Sequence, residues 1–293
     1  VWYRRILGVP VENDTGVTRV VPRPDGLLEL EIACGAKPPI ITRKLVLATG
    51  RAGLGSPTIP DFVKGMVRHK SWAHSSDPVD YKALKNKRVV VIGSGATAVT
   101  LVPAMAAEAA QVTMLQRSPS YIFSVPGYDK ISATLRRFLP ESLVYRMARQ
   151  RNIFIQRSLY KAARRWPGKV RNWLLSGVRK QLGEGFDMRH FTPAYQPWDE
   201  RLCAVPDADL FLALKSGKAS VVTDHIDHFT ENGIRLKSGR ELEADIIVTA
   251  TGLQVQVFGG VELSVDGQPR PLGELMTYKG VLLQDVPNMA WIF

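Results

Sequence analysis

A glycine-rich turn between an apolar segment and a helix-forming segment is the clearest chemical feature of the sequence. Residues 93–98 read Gly-Ser-Gly-Ala-Thr-Ala, which fits the pattern G-x-G-x-x-G/A. The turn follows the apolar run 88–92 and precedes a segment that predicts a helix from Ala96 to about Ala109. In that context the pattern is typical of a backbone cradle for the pyrophosphate of a dinucleotide.

Each small residue of the turn has a physical role. Gly93 permits the tight bend, Gly95 lets a phosphate approach the backbone, and Ala98 lets the helix pack closely on the strand. The free N–H groups and the positive dipole end of the helix then favour an anion. The residues predicted to bind a cofactor here are Gly93, Ser94, Gly95, Ala96, Thr97 and Ala98.

The end of the next predicted strand indicates which dinucleotide binds. Sites for NAD or FAD usually carry Asp or Glu about 20 residues after the glycines, which accepts a hydrogen bond from the ribose 2′-OH. After the strand Gln111–Gln116 this chain carries Arg117 and Ser118 instead. A guanidinium pairs with a phosphate through two parallel hydrogen bonds, so the sequence favours NADPH. The alternative is that Arg117 is only a solvated charge at the strand end.

The order of elements predicts the fold class. Strand, helix and strand within residues 87–116 form one right-handed βαβ unit, so we expect an α/β fold with a Rossmann-like domain. The segments 220–223 and 233–236 are predicted to be strands on either side of a turn. Two further predicted strands, ending at Gly50 and Gly252, both close with Ala-Thr-Gly.

Positive charge is concentrated in one part of the chain. The formal net charge is +12, and the segment from Lys130 to His190 holds fifteen Lys and Arg against three acidic residues. Apolar and aromatic residues recur among these arginines, which predicts basic amphipathic helices. Such helices suit an anionic membrane surface or a nucleic acid, but the chain has no recognisable nucleic-acid motif. We therefore expect no nucleic-acid partner and keep peripheral membrane contact as an alternative.

The two cysteines, Cys34 and Cys203, do not form a C-x-x-C pair. A disulfide scaffold, a zinc site and a dithiol redox centre are therefore unsupported. This argues against a flavin disulfide reductase, which needs a redox cysteine pair. Two reduced thiols favour a cytoplasmic protein.

Four segments of the sequence resemble one family. They read V-V-V-I-G-S-G-A-T-A-V-T-L-V-P from Val89, M-L-Q-R-S-P-S-Y-I from Met114, P-W-D-E-R-L-C from Pro197 and A-T-G-L from Ala250. They are similar to the class B flavin-dependent monooxygenases, which include the Baeyer–Villiger enzymes. The first eighty-odd residues resemble a different branch of the same class.

This resemblance implies an enzyme with two dinucleotides, FAD in one Rossmann-like domain and NADPH in a second, inserted one. It implies an FAD-domain segment at 1–52, a linker at 53–86, an NADPH-binding domain at 87–252 with a helical insertion at about 128–190, and a return to the FAD domain at 253–293. Because both ends of the chain look cut, we expect an internal fragment without the first FAD fingerprint. Crossings between the domains are implied at Thr49, Gly50, Ala250, Thr251 and Gly252.

The fingerprint of the Baeyer–Villiger enzymes is matched only approximately. Phe62, Gly65, His69 and Trp72 follow its order with altered spacings. A second register uses His74 with the following serine, as in related members that oxygenate nitrogen or sulfur. The fingerprint candidates are therefore His69, Trp72 and His74, and each histidine has the alternative of being an ordinary loop residue.

The resemblance places the active-site arginine of the family at Arg201. The alternative is an ion pair of Arg201 with Asp199 or Glu200. The function implied is transfer of one oxygen atom from O2 to a ketone, or to the sulfur or nitrogen of a small molecule such as a thioether, with FAD and NADPH as cofactors and no metal. The alternatives are an NADPH oxidoreductase that does not oxygenate, and the basic binding module described above.

Overall fold

The computed structural model of the chain describes residues 8, 10–33, 37–49, 71–77, 80–254, 257–265 and 267–292. The chain divides into two units, one of residues 1–56 and 253–293 and one of residues 57–252. Gly50 and His69, two predicted site residues, lie outside the described residues.

The first unit is built of short strands. Its three-stranded antiparallel sheet contains β1 (Val17–Pro22), β2 (Leu28–Ile32) and β3 (Ile40–Thr42). A four-stranded sheet has the order β17 (Thr277–Tyr278), β18 (Leu282–Leu283), β19 (Met289–Trp291) and β4 (Leu45–Leu47). Strands β15 (Ser264–Val265) and β16 (Gln268–Pro269) form a hairpin, and short 3-10 helices lie at Val257–Gly260 and Leu272–Glu274.

A five-stranded parallel sheet is the centre of the second unit. Its strands are β5 (Trp72–His74), β6 (Arg88–Ile92), β7 (Gln111–Gln116), β10 (Ala219–Thr223) and β14 (Ile246–Thr249). They lie in the order β10-β7-β6-β14-β5 and every pair is parallel. Four of the five residues of β6 are buried, as expected for apolar, β-branched strands that are covered on both faces.

Different layers cover the two faces of this sheet. On one face lie helix α1 (Ala96–Ala106) and helix α5 (Asp209–Lys215), which bury Val99 and Phe211 in the main core. On the other face lies an antiparallel sheet of β11 (Ile226–Thr230), β12 (Gly233–Leu236) and β13 (Glu241–Glu243). Open α/β sheets bind ligands at the carboxyl ends of their strands, so a ligand is expected at this edge.

The basic segment forms three helices, α2 (Lys130–Leu135), α3 (Glu141–Arg165) and α4 (Pro167–Leu182). Pro167 occupies the first position of α4, where its missing N–H costs no helical hydrogen bond. Strand β8 (Tyr121–Val125) precedes these helices, and the parallel strand β9 (Leu202–Pro206) pairs with it afterwards. Two 3-10 helices lie at Tyr81–Leu84 and Met188–Phe191.

The α/β fold with a Rossmann-like βαβ unit is confirmed, while two local predictions differ from the structure. Helix α1 ends at Ala106 because the chain must turn back so that the Ala110 N–H reaches the carbonyl of Lys87 (3.0 Å). The segments 220–223 and 233–236 are not joined by a simple turn, since β11 lies between them. Within the described residues, no helix combines the length and the apolarity that a membrane crossing requires.

Candidate functional site

The glycine turn connects β6 to α1 at the carboxyl edge of the parallel sheet. Gly93 has a φ of 136°, and its N–H donates to the carbonyl of Leu115 (2.8 Å) on the neighbouring strand. A Cβ at Gly93 would lie 2.6 Å from the carbonyl oxygen of Ala250. Glycine is therefore required here both by the backbone conformation and by the close approach of β14.

Ser94 faces the interior of the domain. Its side chain is buried, and its hydroxyl contacts the carbonyl of Ser118 (3.1 Å) and the hydroxyl of Ser120 (3.1 Å). These bonds fix the turn to the segment that follows β7. Only the backbone of Ser94 is thus left to face a ligand.

The first turn of α1 presents free backbone N–H groups. Gly95 is the N-cap residue and makes no side-chain capping bond. Ala96 and Thr97 are exposed, whereas Ala98 is fully buried against the sheet. An uncapped helix start combines unpaired N–H donors with the positive end of the helix dipole, which suits a phosphate group.

Arg117 and Ser118 follow β7 directly and are both exposed. Because β6 and β7 are neighbouring parallel strands, paired at Ile92 and Leu115, their carboxyl ends meet at the same edge of the sheet. The structure thus brings Arg117 to the edge that carries the glycine turn. Arg117 forms no salt bridge with another described residue, so its guanidinium is available to an anion.

A polar network that the sequence did not reveal holds the end of β7. The buried amide of Gln116 donates to the hydroxyl of Thr223 (2.8 Å) and to the carbonyl of His190 (2.7 Å). The ring Nδ1 of His190 contacts the same hydroxyl at 2.7 Å, and burial lowers the pKa of this histidine. The network joins β7, β10 and the end of the helical segment, and it positions the strand end that carries Arg117.

Arg201 lies beside the glycine turn. Its Cδ is 3.9 Å from the point where a Cβ on Gly95 would stand. The carbonyl of Arg201 accepts a hydrogen bond from the hydroxyl of Tyr195 (2.8 Å). Asp199, the predicted alternative partner of Arg201, pairs with Arg164 at 2.7 Å.

Residues 250–252, at the end of β14, adjoin the turn. The N–H of Ala250 donates to the carbonyl of Ile92 (2.8 Å), while Gly252 has a φ of 90° and is exposed. Thr251 is half-buried between them. The two predicted residues of the first unit lie elsewhere in the chain: Thr49 is exposed and adjoins Gly259, and Gly50 is outside the described residues.

His74 is buried and ties β5 to residue 252. Its Nε2 lies 3.1 Å from the carbonyl of Gly252, and its Nδ1 accepts from the backbone N–H of Ser76 (3.1 Å). Since a carbonyl can only accept, Nε2 carries the hydrogen in this contact. Of the other fingerprint candidates, Trp72 packs against the core on the β11–β13 face, and His69 is outside the described residues.

Cys203 is a buried thiol behind the turn. Its Sγ lies 3.8 Å from the carbonyl of Ser94, and burial raises the pKa of the thiol. A neutral, buried thiol is a poor nucleophile and a poor redox centre. The described residues contain no group of three or more His, Cys, Asp or Glu that could hold a metal ion.

The glycine turn, the uncapped helix start and the exposed cation after the next strand form the arrangement that is typical of dinucleotide-binding domains. The family model described as L-lysine 6-monooxygenase/L-ornithine 5-monooxygenase matches residues 1–153. The chain belongs to this family, within the flavin-dependent monooxygenases that its sequence resembles. The predicted family membership is confirmed.

Named relatives are similar over most of the chain. MymA of Mycobacterium tuberculosis, described as an FAD-containing monooxygenase, is 58% identical over 257 residues, which are 85% of this chain and 51% of MymA. AlmA of Acinetobacter baylyi is 48% identical over 90% of this chain and 53% of AlmA. The FAD-containing monooxygenase EthA of Mycobacterium tuberculosis is 52% identical over 79% of this chain and 46% of EthA. The chain therefore spans about half the length of these relatives.

Solved structures show the same fold. The structure of OTEMO in complex with FAD and NADP matches with a TM-score of 0.69 and 19% identity over 96% of this chain and 60% of OTEMO. An open structure of cyclohexanone monooxygenase matches with a TM-score of 0.68 and 17% identity, over 94% and 62% of the two chains.

Proposed function

We propose that this chain is the NADPH-binding portion of an FAD- and NADPH-dependent monooxygenase. The single observation that carries the proposal is the meeting of Gly93, Gly95, Arg117 and Arg201 at one edge of a parallel sheet. The relatives are about twice as long as this chain, and their names support the monooxygenase class. In this proposal residues 87–252 form the NADPH domain around the helical insertion, residues 1–52 and 253–293 belong to the FAD domain, and residues 53–86 link the two.

The turn fits a phosphate because Gly95 carries no side chain at the uncapped start of α1, so a phosphate can approach the backbone N–H groups. The N–H groups of residues 95–98 hold the pyrophosphate, and Arg117 with Ser118 holds the 2′-phosphate. Arg201 places a permanent positive charge next to the turn, where it stabilises negative charge that develops during the reaction. Bound FAD supplies the oxygen chemistry, and residues 49–50 and 250–252 serve the FAD side of the crossings.

Calorimetric titration of the chain with NADP⁺ and NAD⁺ tests the cofactor assignment. We expect tighter binding of NADP⁺, and a loss of about ten- to a hundredfold for Arg117→Ala because a charge-assisted pair is removed. The matched control is Arg240→Ala, an exposed arginine on the turn before β13. Equal affinity for both cofactors, or equal losses in both variants, would contradict the role of Arg117.

The reaction is tested in a chain of the relatives' full length that contains this sequence. NADPH oxidation is followed with a ketone and with a thioether, and the ester or sulfoxide is measured as product. We expect product formation with at least one of them and a large loss of product in Arg201→Ala. Oxidation of NADPH with formation of hydrogen peroxide alone would favour the oxidoreductase that does not oxygenate.

A second role, contact with an anionic membrane surface, is favoured by the outer side of α3. Leu143, Met147 and Phe154 recur on one side of the helix, and their exposed fractions are 41%, 45% and 72%. Seven Lys or Arg and only one acid, Glu141, lie within α3. We expect the protein to sediment with vesicles of acidic lipid at low salt and to be released at high salt. Absence of sedimentation, or equal binding to neutral vesicles, would exclude this role.

A further inference from the structure

A groove of about 940 Å³ runs between helix α3 and the two-stranded sheet β8–β9. The two strands pair so that Phe123 stands opposite Ala204 and Val125 opposite Pro206. Side chains alternate between the two faces of a strand, so Phe123, Val125, Leu202 and Ala204 share the face that lines the groove. The floor of the groove is therefore apolar by construction.

Helix α3 supplies the opposite wall. Ile155 and Leu159 are four residues apart and line the groove together with Tyr160. The ring of Tyr160 meets the ring of Trp198 edge to face at 6.1 Å. Ile155 and Tyr160 keep about half of their surface exposed, at 52% and 49%. The groove thus leaves apolar side chains uncovered that an alkyl chain could cover.

The charges at the groove have one sign. Arg157 and Lys161, one helical turn apart, line it, and no lining residue is acidic. Both cations are exposed, and no salt bridge of either is recorded within the described residues. The nearest acid in sequence to Trp198, Asp199, is already paired with Arg164 at 2.7 Å. An anion would therefore find two cations that no described carboxylate neutralises.

We propose that this groove binds a free, single-chain anionic amphiphile, namely a long alkyl chain that ends in a carboxylate. The alkyl chain covers the floor of Phe123, Leu202 and Ala204, and the carboxylate pairs with Arg157 and Lys161. The volume lies in the usual range of ligand sites, and apolar walls with few polar groups are typical of them. The proposal is independent of the oxygenation proposed above, since it requires only the second unit to be folded.

Isothermal titration of the chain with octanoate, decanoate and dodecanoate, each below its micelle concentration, tests the apolar part. Each added methylene that is fully buried should tighten binding by about fourfold, so we expect a steady rise along the series. Dodecanol and a dodecyl ammonium salt should bind about tenfold more weakly than dodecanoate, because the cations of the groove favour an anion. An affinity that does not depend on chain length would overturn the proposal.

Charge-reversed variants test the cationic part. The double variant Arg157→Glu/Lys161→Glu should weaken dodecanoate binding by about tenfold or more. The matched control Arg146→Glu/Arg149→Glu changes the net charge equally on the same helix, at residues that do not line the groove. It should change binding by about twofold or less, because exposed charges at a distance are screened. Equal losses of dodecanoate affinity in the two double variants would show only a general attraction of the anion to a basic surface, and would overturn the proposal.

A bulky residue in the floor tests the location. Ala204→Trp should abolish dodecanoate binding, whereas Ala104→Trp, at an exposed position of α1, should leave it unchanged. Binding of NADP⁺ and the unfolding temperature show whether each variant is folded. If Ala204→Trp does not fold, Phe123→Glu is the second variant of the floor. Full binding in a folded floor variant would overturn the proposal.

The other occupants of the groove give distinct results. Sedimentation shows whether two copies of the chain associate. If they do and dodecanoate does not dissociate them, the groove is an interface between copies. A full-length chain that fails to bind dodecanoate would assign it to another segment of the protein. Binding to acidic vesicles without binding of monomeric dodecanoate would assign the surface to a membrane. Each of these results would overturn the proposal.

Discussion

The glycine-turn edge of the parallel sheet and the helical segment 130–182 are stabilised in opposite ways. At the sheet edge, backbone meets backbone, and Val91 and Ala98 have no exposed surface. In the helical segment, α3 is 25 residues long but buries only Val144 and Ala163. The chain at Gly93 therefore has no room for an added atom, whereas α3 is largely a surface. The comparison indicates that the glycine-turn edge depends on close packing, whereas α3 presents most of its side chains at the surface.

The largest effect that would sharpen this comparison is expected for Gly93→Ala. The new Cβ would stand 2.6 Å from the Ala250 carbonyl, in a backbone conformation with a φ of 136° that alanine rarely adopts. We expect a loss of about 2–4 kcal/mol in the free energy of unfolding. Urea unfolding monitored by circular dichroism measures this loss. A loss below about 1 kcal/mol would show that the backbone around Gly93 can shift to accommodate the methyl group.

Gly95→Ala should separate binding from stability at the same edge. Gly95 has a φ of −81°, and an added Cβ would make only an ordinary contact with Arg201 at 3.9 Å. The fold should therefore change by less than about 1 kcal/mol, while NADP⁺ binding weakens by about tenfold or more because the methyl occupies the place of a phosphate. Calorimetry and thermal unfolding are measured on the same sample. Unchanged NADP⁺ affinity would remove the turn from the binding site.

A glycine-to-alanine substitution in the helical segment should change the free energy of unfolding in the opposite direction. Gly177 lies inside α4, and nothing within 4 Å would meet a Cβ there. Gly177→Ala should stabilise the protein by about 0.5–1 kcal/mol, because alanine loses less backbone freedom on helix formation. Destabilisation in urea unfolding would show that this face of α4 is packed more tightly than its exposure indicates.

The smallest effect concerns acid pH and the start of α2. Asp129 caps this helix through the N–H of Ser132 (3.1 Å), and its bond to Arg151, followed by its bonds to Ser132, holds the pKa of the carboxyl below its ordinary value of 3.8. Stability from this group is therefore present above pH 3.8 and is lost as the pH falls through the lower folded value. The hydrogen-exchange protection factors of α2 should fall in that range, and Asp129→Asn should remove this pH dependence. An unchanged profile in the variant would assign the effect to other carboxylates.

The sequence predicted the local structure of the glycine-turn edge better than that of its surroundings. The strand 88–92, the turn and the start of α1 follow from local residue types, because a βαβ unit needs small residues at fixed positions. The direction of the Ser94 side chain could not be read in the same way, since it depends on Ser118 and Ser120 in the segment that follows β7. The network of Gln116, Thr223 and His190 also joins residues that are far apart in the chain.

Polar strands and long-range surfaces were missed for physical reasons. Strand β11 contains Asp227 and His228, which are exposed, and only Phe229 of its residues is buried. An edge strand with one wet face carries little of the apolar pattern by which strands are recognised. The groove beside α3 has no signal in the sequence, because its wall lies about 30 to 50 residues from either floor strand and they meet only in the folded domain.

The position of Cys203 makes the turn directly observable. Its sulfur lies against the Ser94 carbonyl and is shielded from solvent, so a thiol reagent can react only when β9 separates from the turn. In a variant with Cys34 replaced by serine, the rate at which the thiol reagent labels Cys203 would report how often the turn and β9 separate. A nucleotide bound at the turn would lower the labelling rate of Cys203. The decrease would report occupancy of the turn without any substitution in it.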